Sequence, residues 1–417
     1  MSKSKEIILN VLALLTFTYI LNNCSIPFSG TETETLKVYE HTKKFLSGKL
    51  ENWTGGKWSL YDKDLSWSDS ITLINTSFDK TLVDYYGERD FSQGKIAITN
   101  RKNLYDFLKI ANQFKEYKYI ILDIALDDKG LSYDDSLSLL ISNMNNITVA
   151  KSRKFCLMNS LSPKAGWVDY YRMPYETGFT KYIYGTNERQ SLALRVYNER
   201  NNKNAIKSIL GIVYFDDLRL CKKNAILDYD IRFLQRDYIS TSSQNIGINA
   251  YQNLGTDFYD SRITNNTNRI NKTDKVRASV KNKIIVIGDF FCDDIHDTYI
   301  GKMPGAIINL NAYVGLQKGD HLINPFHVLL FFLFYLTLYI IRNRFSYLKE
   351  KVSILQSDFA QILIGIIGYG FFFNIIAILI YVCFDTLYNP WLPTLWFTLT
   401  PQCVKLFISL RSFKKKS

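Results

Sequence analysis

Four apolar runs constrain this chain more than any other feature. They cover residues 7–23, 326–341, 361–384 and 391–410. Gln361 to Phe384 carries no charge, and Pro325 to Ile341 none apart from His327. A helix of about 20 predominantly apolar residues crosses a ~30 Å hydrocarbon core, so the pattern predicts four transmembrane helices. The mean hydropathy of −0.09 then averages over two unlike kinds of sequence. Trp391 to Leu410 contains Pro393, Pro401 and Lys405. Neighbouring helices can satisfy the backbone that proline frees, and a terminal lysine can snorkel. The first run is short and leaves three readings open: an uncleaved anchor, a lipoprotein at Cys24, or a cleaved signal peptide.

Basic residues set the expected direction. Lys3 and Lys5 precede the first run, Arg342, Arg344, Lys349 and Lys351 lie between the second and third, and Arg411 and Lys414 to Lys416 follow the fourth. Four crossings put all three groups on one side, with both termini cytoplasmic and residues 25–324 outside. The expected division is an N-terminal membrane anchor at 1–24, an exported domain at 25–324, and a three-helix membrane bundle with a short basic tail at 325–417. The net charge of +12 concentrates in the flanks; 40 basic and 35 acidic residues fall within 25–324. That dispersed excess argues against nucleic acid as a partner and for contact with anionic lipid.

Inside 25–324 the apolar pattern alternates between strand and helix. Ile71 to Asn75 and Tyr119 to Leu126 are β-branched runs suited to buried strands. Between them Leu104, Phe107, Leu108, Ala111 and Phe114 share one helical face. Asp134 and Asp135 mark a helix N-terminus, Ile147 to Ala150 a third strand, and Lys283 to Gly288 a later one. Ser208 to Phe215 and the alternating run Ser191 to Tyr197 read as further strands, and Thr264 to Lys275 as an exposed loop. Pro304 is expected at the first position of a helix ending near Gly315 or Gly319. The fold class is therefore an α/β domain, a mixed or parallel sheet covered by helices, plus the four membrane helices. Three cysteines lie in the domain (Cys156, Cys221 and Cys292), and an odd number cannot all pair within it.

Ile284 to Ile323 resembles the signature of type-2 CHASE domains, the exported sensory domains of bacterial cyclases and histidine kinases. The residues that carry the likeness are Ile287-Gly288, Asp294, Thr298, Met303-Pro304-Gly305 and Asn311-Ala312. Arg101, Leu122-Asp123-Ile124, Asp135 and Leu137 match more loosely upstream. Asn75, Tyr299 and Asn309 depart from the family pattern, which often has Asp, Pro and His there. The resemblance implies a sensor in the bacterial cytoplasmic (inner) membrane. Most relatives continue into a catalytic output domain. This chain stops soon after its last apolar run, so a cytoplasmic or membrane effector acting in trans is expected, and a homo-oligomer is compatible.

The densest polar cluster, Asp289, Cys292, Asp293, Asp294, His296 and Asp297, follows a buried strand. Ligands of open α/β sheets gather at the C-terminal ends of strands, and Asp123 and Asp127 end another strand. The candidate ligand-binding set is Asp123, Asp127, Asp289, Asp294, His296, Thr298 and Asn311. The carboxylates can instead cap backbone N–H groups, and three oxygens with a histidine can hold a divalent cation. No motif calls for a metal, a cofactor or a catalytic apparatus, and a scaffolding subunit of an envelope complex is the second expectation.

Overall fold

The C-terminal ends of three neighbouring strands lie flush, and this register organises the domain. In the computed structural model β1 (Ile71–Asn75), β2 (Tyr119–Asp123), β3 (Ile147–Lys151), β4 (Ala165–Trp167), β5 (Tyr251–Asn253) and β6 (Ile284–Gly288) form one sheet in the order β5-β1-β6-β2-β3-β4. Every pairing in it is parallel. Asn75 stands opposite Gly288, and Gly288 opposite Asp123. The structure describes residues 7–16, 32–54, 70–86, 92–127, 131, 133–153, 157–168, 179, 181–186, 189–209, 212–217, 219–222, 224–226, 251–254, 272–291, 294–323, 325–349, 358–384 and 393–399.

Both faces of the sheet are covered, so β1, β2, β3 and β6 are buried along almost their whole length and mostly apolar. Among the described residues ten α-helices follow in chain order: α1 (7–16), α2 (Glu32–Thr54), α3 (Arg101–Phe114), α4 (Asp134–Asn143), α5 (Leu192–Asn201), α6 (Lys272–Val280), α7 (Gly305–Lys318), α8 (Pro325–Lys349), α9 (Asp358–Phe384) and α10 (393–399). Ile74, Ile120, Leu122, Ile285 and Ile287 pack with Leu104, Phe107 and Leu108 of α3, Leu137 and Ile141 of α4, and Val276 and Val280 of α6. The alternate residues Ile71, Leu73, Tyr119, Ile121, Ile284 and Val286 face α5 and α7. Full burial of each such side chain stabilises by about 1.5–3 kcal/mol. The expected α/β domain with a parallel sheet is present.

Local chemistry explains several boundaries. Asn100 Oδ1 caps α3 by accepting from Asn103 N at 3.2 Å. Ser191 to Tyr197, expected as a strand, opens α5. Ser191 Oγ accepts from Leu194 N at 3.3 Å, and Leu192, Ala193, Val196 and Tyr197 are buried at helical spacing. The alternation of that run fits both periods, and the cap decides for helix. The expected loop at Thr264 to Lys275 ends inside α6; its residues 264–271 lie outside the described residues. Pro304 is the N-cap of α7 with ψ 142, one residue earlier than expected, and Gly319 ends the helix at φ 94. Residues 212–215 and 220–222 belong to a three-stranded antiparallel sheet in which Cys221, a buried free cysteine, forms a backbone β-bridge with Leu322.

Among the described residues, no helix is long and apolar enough to cross a membrane. This corrects the expectation of four transmembrane helices, and with it the inner-membrane localisation, the cytoplasmic tail and the exported placement of 25–324. The side chains described run over 325–340 in α8 and 366–382 in α9, roughly 25 Å of helix each at 1.5 Å per residue. Part of the apolar content serves packing. Tyr335, Phe373, Ala377, Tyr381 and Phe397 are buried with Leu14 and Tyr39 in one cluster. Tyr39 and Tyr381 rings lie 5.7 Å apart, and Tyr381 donates to Glu40 at 3.1 Å. Leu329, Leu333, Phe371 and Leu379 are exposed.

Gly288 permits the close approach of α7 to the sheet. A Cβ there would meet Ala306 Cβ at 2.7 Å. Gly288→Ala is expected to destabilise by about 1–3 kcal/mol through overpacking, measured as a lower urea midpoint with unchanged slope.

Candidate functional site

At the flush strand ends polar side chains of the sheet meet α7. Asp123 ends β2 and is 8 % exposed. Its Oδ2 accepts from Asn309 Nδ2 at 2.7 Å, and Asn309 Oδ1 accepts from Tyr182 OH at 2.6 Å. Tyr182 OH accepts in turn from Ala193 N at 3.4 Å, at the start of α5. A chain of hydrogen bonds thus joins sheet, α7 and α5 through the interior. Neutral groups at both inner links suit a site from which water is excluded.

Asp294 reaches the same place from the other side. Its carbonyl accepts from Gly305 N at 2.8 Å. Its carboxylate fills the space beside Gly305, where a Cβ would lie 2.1 Å from Oδ2. It therefore sits at the N-terminal turn of α7, where negative charge is favoured. His296 Nε2 pairs with Asp294 Oδ1 at 2.8 Å, and the imidazole stands edge-on to Phe179 with centroids 5.2 Å apart. Burial pushes the Asp123 carboxyl up to about 8, and the Asp294 charge adds to the rise; the Asn309 hydrogen bond opposes it. Burial likewise raises Tyr182 well above an ordinary phenol.

The remaining candidates divide differently. Asp289 belongs to the β1 side of the crest: Oδ1 accepts from Ser77 Oγ at 2.6 Å and Phe291 N at 3.2 Å, and Oδ2 pairs with Lys80 at 2.8 Å. Asn75 Oδ1 accepts from Ser77 N and from Phe290 N. That half of the crest caps its own backbone. Asp127 lies with Arg101, 3.5 Å from its Nη2; Arg101 also reaches Ala125 O at 3.1 Å and stands 3.3 Å from Asp134. Thr298 closes the turn of its hairpin by donating to Gly301 O at 2.6 Å. Asn311, fully buried, donates to Ile307 O within α7. Cys292 and Asp293 lie outside the described residues. Among the described residues, no group of three or more His, Cys, Asp or Glu side chains is placed to hold a metal ion.

The structure thus unites Asp123, Asp294 and His296 and adds two residues outside the candidate set, Asn309 and Tyr182. Asn309 drew attention only as a departure from a family pattern. Its signal was an amide inside an apolar helix, which must find a buried partner. Tyr182 falls in a tyrosine-rich stretch with little periodicity, and nothing in its neighbours distinguished it. Comparison with family models, with curated proteins and with solved structures found no match to this chain.

The raised Asp123 carboxyl makes stability depend on pH with a defined sign. A folded-state value above the unfolded one favours folding at low pH, and that contribution is lost as pH rises through about 8. Asp123→Asn removes the loss. The stability of the variant minus that of the parent should therefore grow between about pH 4 and pH 8, by up to about 1.4 kcal/mol per pH unit, read from denaturation midpoints across a pH series.

Proposed function

We propose that this chain is the receptor component of a signalling system, with a domain of the type-2 CHASE kind. The crevice between the ends of β2 and β6 and the first turn of α7 receives a small polar cue. A separate effector protein supplies the output. The observation that carries this reading is α7 itself. Every residue from Gly305 to Leu316 is buried, so the helix has no free face on which to slide. Its first residue, Gly305, donates from N to the Asp294 backbone carbonyl, and Asn309, one turn further on, donates to the Asp123 carboxyl. Near its last turn Ala312 O accepts from Tyr184 OH at 2.7 Å, and Tyr184 also contacts His321 Nδ1. Ile323 N donates to Leu220 O at 2.8 Å, two residues before α8 begins.

A cue that prefers one seating of α7 on the crest shifts the population of that seating by its differential affinity. The helix carries the change along its length to the start of α8. Residues quoted for the family resemblance take part in this linkage: Asp294 lodges on Gly305, and Thr298 shapes the hairpin that precedes Pro304. The likeness supports the reading through those contacts.

The second reading is an assembly subunit, favoured by the exposed apolar side chains of α8 and α9, since contiguous apolar surface marks interaction sites. A thermal-shift screen of small polar metabolites against the full chain separates the two. The receptor reading expects a compound that raises the melting temperature, with about 2.7 kcal/mol of stabilisation at one hundred times its dissociation constant. The shift should vanish in Asp294→Asn and persist in Lys80→Ala. A stable hetero-oligomer with no response to any compound would instead select the assembly reading.

A further inference from the structure

The ends of β3 and β4 carry a second polar feature. Lys151 ends β3, Trp167 ends β4, and the two stand opposite each other in parallel register. On its other side Trp167 is bridged in parallel to Ser191, which follows the short strand Arg189–Gln190. Side chains two residues apart on an extended chain share a face, so Lys151 lies with Val149, Trp167 with Ala165, and Arg189 with Ser191. Val149 and Ala165 pack in the cluster of α3 and α4, whereas Asp123 follows Ile121 on the α7 face. The indole therefore stands between a lysine from one neighbouring strand and an arginine from the other, across the sheet from Asp123.

Lys151 Nζ lies 5.2 Å and Arg189 Cζ 5.1 Å from the centre of a Trp167 ring. An indole face attracts a cation through its quadrupole but carries no net charge, so it neutralises neither. Among the described residues no carboxylate pairs with Lys151 or Arg189, and none accepts from the Trp167 N–H. Elsewhere in the domain cations do find carboxylates: Lys80 pairs with Asp289, Arg277 with Glu116 and Lys203 with Asp217. Two like charges held at most about 10 Å apart repel, and an anion shared between them removes the repulsion. Lys151 and Trp167 are half-buried and Arg189 is exposed, so all three can be reached from solvent.

We propose that Lys151, Trp167 and Arg189 form a binding site for a phosphate monoester or inorganic phosphate. Charge and donor number decide between oxyanions. A phosphate monoester carries about −1.5 to −2 charge at neutral pH and three terminal oxygens, which suits two cations and an indole N–H. A carboxylate brings one charge and two oxygens and leaves a cation uncompensated. The guanidinium fork takes two oxygens of the phosphoryl group, the ammonium serves as a point charge, and the indole N–H can only donate. The position agrees, since ligands of open α/β sheets gather beyond the C-terminal ends of strands. Because it lies on the other face from Asp123, the site stands independently of the receptor reading.

Calorimetric titration of the full chain at constant ionic strength tests the site, with inorganic phosphate and glycerol 3-phosphate as probes and acetate as the comparison. One phosphate per chain is expected, bound in preference to acetate. Lys151→Gln and Arg189→Gln should each weaken phosphate binding by roughly tenfold through loss of a charge-assisted hydrogen bond. Either variant suffices if the other fails to fold. Lys109→Gln, which removes a lysine lying over the single ring of Tyr105 on α3, should bind as the parent does. Tighter binding of the ester assigns the site to an organic phosphate, and tighter binding of the free ion to inorganic phosphate. No binding of either probe at millimolar concentration, equal binding of acetate, or parent-like affinity in a folded Lys151→Gln or Arg189→Gln chain overturns the proposal.

Discussion

The close seating of α7 on the sheet is the constraint from which the rest of the domain follows. It requires Gly288, because any side chain there would strike Ala306. It requires the flush register of β1, β6 and β2, which places Asn75, Gly288 and Asp123 in one row. A helix buried on all sides cannot leave its amides unpaired. Asn309 and Asn311 accordingly find Asp123, Tyr182 and the carbonyl of Ile307. The polar chain is thus a consequence of burying a helix that carries asparagine.

The crest is electrostatically divided. On the β1 side Asp289 is matched by Lys80 and by hydroxyl and backbone donors, so its charge is compensated where it stands. On the β2 side Asp123 is buried with the Asn309 amide as its hydrogen-bond partner and no base beside it, while Asp294, paired with His296, stays partly exposed. Burial of an acid without a base is costly unless the acid is neutral. The first half is a structural joint; the second is where small changes in solution conditions can do work on the fold.

Strand and helix positions in the domain were legible because burial wrote them twice, in β-branched runs and in helical periodicity. Ile284 to Gly288 and the face of Leu104, Phe107, Leu108 and Ala111 lie as their patterns predict. Ser191 to Tyr197 misled, since seven alternating residues satisfy both periods and only the Ser191 cap distinguishes them. The apolar runs misled in another way. Hydrophobicity along a chain does not say what covers it, and Phe373, Ala377 and Tyr381 are covered by protein. Within the candidate site, carboxylates after a strand pointed to Asp123, Asp294 and His296. Asp127 follows the same rule and instead braces Arg101, because pairing depends on which side of the sheet the chain turns toward. Tyr182 was invisible, since its role comes from a contact more than a hundred residues away in sequence.

Cys221 carries a consequence of its own. Its thiol is wholly enclosed beside Leu322, and burial raises its proton affinity far above that of a free cysteine. Alkylating reagents attack the thiolate, so in the intact fold this sulfur is chemically silent. It becomes reactive when the packing between Tyr184, the α7 terminus and the 220–222 strand parts. The rate at which Cys221 is labelled is therefore a built-in clock for the opening of that joint.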